Sequence, residues 1–142
     1  QTEEAGYQLA NEILTSGKAM EKFEEIVAAQ GGRLSALPRS QNAYPVLSKQ
    51  DGFLEAFDAE SIGICGILLG AGRSIASDSI EPTAGIEFHK KIGDPCKKGE
   101  TLFVLYGQNT KIFAEVDRRL VEATRFCLQK PKKIDLINKR LT

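Results

Sequence analysis

The stretch from Ile62 to Gly72 carries neither a charge nor a strongly polar group, and two of its four glycines, Gly63 and Gly66, fall inside what reads as a helix, Ala59 to Leu69. It is too short to cross a bilayer, which takes about 20 apolar residues, so the helix must bury its apolar surface against protein. Asp58 stands where a side-chain carboxylate can accept the free N–H groups of a first turn, and Glu60 follows where the helix dipole favours an acid. Gly63 and Gly66 each cost about 1 kcal/mol against alanine in a helix interior. Spaced three apart, they leave a smooth face that another backbone can approach closely.

The helix runs into "ILLGAGRS", residues 67 to 74, whose glycines raise the question of a phosphate cradle. A cradle needs backbone amides at the start of a helix, and both the dinucleotide fingerprint and the Walker pattern put their glycines before the helix. Here the glycines come after it, where carbonyls are left over. Gly70 therefore reads as a helix stop, with anion binding by Arg73 and Ser74 as the alternative.

Upstream, apolar residues at three- and four-residue steps predict a helix over 3–15 (Tyr7, Ala10, Leu14) and a second over 18–30 (Met20, Phe23, Ile26, Val27). Gly17 separates them and Gly31-Gly32 ends the pair. Neither helix is stable alone, so both need a surface to pack on. Residues 33–45 lose the periodicity and read as a linker between domains. Val46-Leu47 and Phe53–Phe57 read as strands joined by Asp51-Gly52 in a tight hairpin. Further on, the pattern predicts a strand over Gly85–Lys91, turns at Gly93-Asp94-Pro95 and Lys97-Lys98-Gly99, and a strand over Thr101–Tyr106. A helix over Thr110–Leu128 follows, stopped by Pro131, with a final strand in "KIDLIN".

Charge excludes little but points away from polyanions. Lys+Arg and Asp+Glu number 19 each, so nothing electrostatic argues for nucleic acid or an anionic membrane. The basic tail (Lys130, Lys132, Lys133, Lys139, Arg140) reads as a solvated face, with a phosphate-contacting patch as the alternative. Cys65, Cys96 and Cys127 form no C-x-x-C pair, and only His89 could join them at a metal, so they read as reduced thiols of a cytoplasmic protein. No secretory signal opens the chain. It begins at Gln1 and enters a helical pattern at once, which is expected of a piece of a longer protein.

His89 is the one side chain that could serve as a general base near neutral pH without a perturbed pKa. Between Phe88 and Lys90 it has no serine, cysteine or carboxylate at a telling offset, so it reads as an ordinary strand histidine. Glu24-Glu25 reads as a solvated helix face. No nucleophile and base come together in the sequence. The phrase "IGDPCKKGETLFVLYG" has the turn–strand–turn–strand form of a small flattened barrel, as in biotinyl and lipoyl carrier domains. It lacks their modified lysine: the single methionine, Met20, lies in a helix, and no Asp-Lys-Ala occurs.

Several phrases in order carry a wider resemblance: "SGKAMEKFEEIVAAQGG" (16–32), "LGAGRS" (69–74), "AGIEFHKKIGDPCKKGETLFVLYG" (84–107) and the helix after them. Together they resemble the C-terminal part of the pyrimidine-nucleoside (thymidine) phosphorylase family. AMP phosphorylases of archaeal type share versions of the first and third phrases, whereas "LGAGRS" is more similar to the thymidine phosphorylase branch.

The resemblance implies an α+β fold: two N-terminal helices followed by a small α/β-hammerhead, barrel-sandwich-like C-terminal domain. Residues 1–32 would be the helical end of a preceding α/β domain, 33–45 the linker, and 46–142 the C-terminal domain. It implies a parent enzyme, a homodimer, that uses inorganic phosphate as co-substrate and no other cofactor to convert a pyrimidine nucleoside into free base and (deoxy)ribose 1-phosphate. The family's phosphate loop and base-gripping residues match no position here. No catalytic, substrate-binding or metal residue is therefore assigned, and this chain alone is expected to be inactive and monomeric. Its expected partner is the remainder of the parent chain, with no nucleic acid and no membrane. The role left to it is to support the phosphate-side wall as the cleft closes. A biotinyl- or lipoyl-like carrier and a stand-alone interaction domain are the alternatives.

Overall fold

The computed structural model describes residues 2–132. The chain divides into two compact units, Gln1–Pro38 and Arg39–Thr142. In the first, α1 (Glu3–Thr15) and α2 (Lys18–Ala29) pack as a helical pair. The Thr2 hydroxyl caps α1 by accepting from the Ala5 N–H at 3.3 Å. Neither helix buries a residue, and Tyr7, Leu14, Met20 and Phe23 stay exposed. A 3-10 turn at Leu34–Ala36 follows.

The second unit is α+β, with two three-stranded antiparallel sheets. One has the order β1-β5-β3, from Ala43–Leu47, Thr101–Tyr106 and Gly85–Phe88; the other has the order β4-β2-β6, from Pro95–Cys96, Gly52–Phe57 and Thr124–Cys127. Helices α3 (Ala59–Leu69) and α4 (Phe113–Glu122) pack on each other. Val46, Leu54, Cys65, Phe103, Leu105, Val116 and Leu120 are wholly buried at the centre of one core. Three aromatic rings join the sheets: Phe103 of β5 lies 5.6 Å from Phe57 of β2 and 5.1 Å from Phe88 of β3. Such tilted and edge-on contacts each add about 1 kcal/mol beyond area burial.

Several expectations are corrected. β1 and β2 are not a hairpin: β1 pairs with β5 and β2 with β4 and β6. After Leu47, the Ser48 N–H donates to Glu100 O and its carbonyl accepts from the Gly99 N–H, both at 2.8 Å, so the chain keeps following β5 before it crosses to the other sheet. Asp51-Gly52 makes that crossing. β1 opens at Ala43 and includes Pro45, inside the segment read as a linker. An edge strand tolerates proline because its missing N–H removes no ladder bond on the outward side.

The strand expected to reach Lys91 ends at Phe88. Pro95, read as part of a turn, begins the short strand β4. The helix expected over 110–128 is a 3-10 turn at Thr110–Ile112, then α4, then β6. It stops because the buried Thr124 hydroxyl turns back to Leu120 O at 2.7 Å, and Thr124–Cys127 then has a ladder to join on β2. The strand expected in "KIDLIN" lies outside the described residues.

Candidate functional site

The glycine segment after α3 folds as a helix terminator. Gly70 sits at φ +99°, and the N–H groups of Gly70 and Ala71 return to Ile67 O and Gly66 O at 2.9 and 3.0 Å, which is the pattern of a helix closed by a left-handed residue. The next free amides do meet an anion, but it is the chain's own. Asp78 accepts from the Ser74 and Ile75 N–H groups at 2.9 and 3.0 Å through one carboxylate oxygen. Arg73 is exposed beside this turn.

His89 lies one residue past β3, its N–H donating to Leu102 O at 2.9 Å. Contrary to the sequence reading, it does have a carboxylate at a telling distance. Its Nε2 is 3.5 Å from one oxygen of Glu87, whose other oxygen accepts from the Tyr106 hydroxyl at 2.7 Å. Extended backbone puts residues 87 and 89 on the same side, so the period-2 rule could have found that pair. Tyr106 arrives through the β3–β5 register, in which it faces Gly85, and no local signal announces it. The bond to Glu87 pushes the Tyr106 phenol above its usual range, so it works there as a neutral donor. The cluster is open to solvent, and none of its members is positioned as an activated nucleophile.

Acids and bases also gather where α3 begins and α4 ends. Two adjoining shallow depressions, about 170 and 360 Å³, share Asp58, Glu122 and Ala123 in their lining. Asp58 caps α3 as the sequence predicts, accepting from the Glu60 and Ser61 N–H groups at 3.2 and 3.3 Å and from the Ser61 hydroxyl at 2.8 Å. The Ser61 bonds hold its carboxyl below the ordinary value. Arg118 reaches both Glu115 and Glu122, at 2.9 and 2.8 Å, and Arg119 holds Glu115 at 2.7 Å. These charges satisfy one another and leave a polar rim, with no base poised against a nucleophile among the described residues.

The remaining groups singled out in the sequence lie apart. Cys65 and Cys96 are buried free thiols, and burial pushes both above their usual range. Cys127 is half-buried, and its thiol donates to Gln129 O at 2.9 Å. Among the described residues no three His, Cys, Asp or Glu side chains gather as a metal would require. Glu25 pairs with Lys22 on the exposed side of α2, beside Glu24. Lys130 and Lys132 are exposed, while Lys133, Lys139 and Arg140 lie outside the described residues. No helix among the described residues is long and apolar enough to cross a membrane.

The second unit is thus a small two-sheet α+β unit whose described charge clusters are satisfied within themselves. Residues 53–126, from β2 into β6, match the family described as the pyrimidine nucleoside phosphorylase C-terminal domain. This chain belongs to that family. It is 36% identical over 107 residues to the pyrimidine-nucleoside phosphorylase of Bacillus subtilis, covering 71% of this chain and 25% of that protein. The enzyme of that name from Geobacillus stearothermophilus is 32% identical over 129 residues, covering 87% and 29%. A thymidine phosphorylase of Mycobacterium tuberculosis is 38% identical over 96 residues, covering 67% and 22%. The chain thus spans about a quarter of the length of these curated relatives.

Proposed function

We propose that this chain is the C-terminal portion of a pyrimidine-nucleoside phosphorylase and serves it as structure rather than as chemistry. The whole enzyme would exchange the base of a pyrimidine nucleoside for inorganic phosphate, giving free base and ribose or deoxyribose 1-phosphate. It would work in the cytoplasm as a homodimer, with phosphate as co-substrate and no other cofactor. Such a reaction needs phosphate held beneath C1′ and donors facing the departing base, so that the leaving charge is stabilised. The described clusters supply neither: the amides at Ser74 and Ile75 already hold Asp78, and the arginines of α4 already hold glutamates.

The observation that carries the reading is the family match over 53–126, in relatives of which this chain covers about a quarter. In this reading residues 1–32 end the preceding α/β domain and 33–45 link it to a hammerhead domain. That domain buttresses the phosphate-side wall and travels with it as the cleft closes.

The test is phosphorolysis of thymidine and uridine. The 142-residue chain alone is expected at background, and turnover by the pure chain would defeat the claim. A chimera with this chain in place of the matched part of the Bacillus subtilis enzyme is expected to phosphorolyse uridine. A folded chimera without activity would defeat the assignment.

A further inference from the structure

We propose that the outward face of α3 is a docking surface for an α-helix, supplied by the part of the relatives' polypeptide that lies N-terminal to the segment this chain covers. The inference rests on the function proposed above, from which it takes its occupant.

α3 is apolar on nearly every side. Cys65 and Leu69 face inward and are buried in the core. Gly63, Ile64, Ile67 and Leu68 face outward, with Ile64 at 44%, Ile67 at 36% and Leu68 at 37% exposure. A surface helix normally turns charged and polar residues to solvent, and one that is apolar all round is normally enclosed on both sides. The only charge on α3 is Glu60, in its first turn.

The glycines point the same way. A Cβ added at Gly63 or Gly66 would meet nothing within 4 Å. Neither glycine is needed for packing among the described residues, yet each costs about 1 kcal/mol of helix stability. A contact from outside offsets that cost if it needs the backbone close. Glycine gaps flanked by Ile64 and Ile67 make a shallow seat that suits an apolar helix face, with charge only at its Ile64 edge, where Asp58, Arg119 and Glu122 line the adjoining depression.

Size argues against a second copy of this chain as the occupant. A free-standing dimer needs about 800 Å² from each partner, and three aliphatic side chains already more than half covered expose far less. A segment of the same polypeptide needs no such area, because its effective concentration is high. This chain covers only 25% and 29% of these relatives, and its residues 53–126 match a family named as the C-terminal domain, so most of the relatives' chain precedes this unit and can cover it.

The test reads side-chain protection. Ile64→Cys is made in a Cys127→Ser background, where the other two thiols are buried, and its reaction with a maleimide is timed. The rate is compared in the 142-residue chain and in the Bacillus subtilis chimera. Labelling at least tenfold slower in the chimera is expected; equal rates overturn the proposal even if the chimera is active. A protected thiol in an inactive chimera leaves this inference standing and sinks the functional one. Gly63→Leu supplies an opposite-sign check, raising the melting temperature of the chain alone and lowering that of the chimera. A chain dimer that slows labelling by itself overturns the choice of occupant.

Discussion

The Asp51 carboxylate accepts the backbone N–H of Lys98 at 2.7 Å, across 47 residues of sequence. What looks locally like half of a hairpin turn is a clasp between two loops, and it holds the crossing from one sheet to the other. Asp51→Ala leaves that amide to water and is expected to destabilise the second unit by about 1 kcal/mol, the net value of such a bond. Urea unfolding checks it. A midpoint shift with an unchanged slope identifies lost stability rather than a changed unfolded state.

Glycine substitutions should separate by position. Gly63→Ala and Gly66→Ala in the 142-residue chain each raise stability, by up to about 1 kcal/mol, because the new methyl meets open space. Gly52→Ala does the opposite: its φ is +151°, and the added Cβ would lie 2.9 Å from Cys127 O in the neighbouring strand. Thermal melts of the three variants should fall on opposite sides of the parent.

Phe103 touches both other rings that bind the sheets together. Phe103→Ala removes a wholly buried side chain and is expected to cost about 3–5 kcal/mol. Near-ultraviolet circular dichroism and urea midpoints read the loss. Native-like stability in this variant would contradict the placement of the core.

Acid should loosen the start of α3. The Asp58 carboxyl is held below its ordinary value of 3.8, chiefly by the Ser61 hydroxyl and then by the Ser61 amide. Its folded-state pKa being the lower one, its contribution is fully present above the unfolded value and is lost as pH falls through the folded value. Asp58→Asn keeps a capping oxygen without a titrating proton. The stability difference between parent and variant should be flat from pH 5 to 8 and shift toward the variant below about pH 4. Glu81, Glu100 and Glu115 are also held low, so the difference between the two proteins, not the parent's curve, is the quantity to follow.

The helices were legible because their signals are local. Thr15 ends α1 as the periodicity predicts, Asp58 caps α3, and Gly70 closes it. Strand partnership was not, because alternation in Val46-Leu47 and Phe53–Phe57 says which side is apolar but not whose edge it meets. The decisive partners are Phe103 for Val46 and Cys127 for Phe53, far along the chain. α4 was overrun for a related reason. A helical period can be read through Ala123 into Leu128, but the vacant edge of β2 draws Thr124–Cys127 into a ladder. Among the candidate site residues, the Glu87–His89 pair was within reach of the two-residue period, whereas Tyr106 needed the register of β5.

The exchange of β1 and β2 between sheets also governs when this unit can assemble. β2 is the middle strand of its sheet, and β6, one of its two neighbours, is the last described element of the chain. During synthesis, the sheet holding β2 must wait until residue 127 has left the ribosome, while β1 waits for β5. Contacts so far apart in sequence slow folding. Until they form, the apolar run through α3 stands uncovered, so aggregation at that step is the hazard built into this topology.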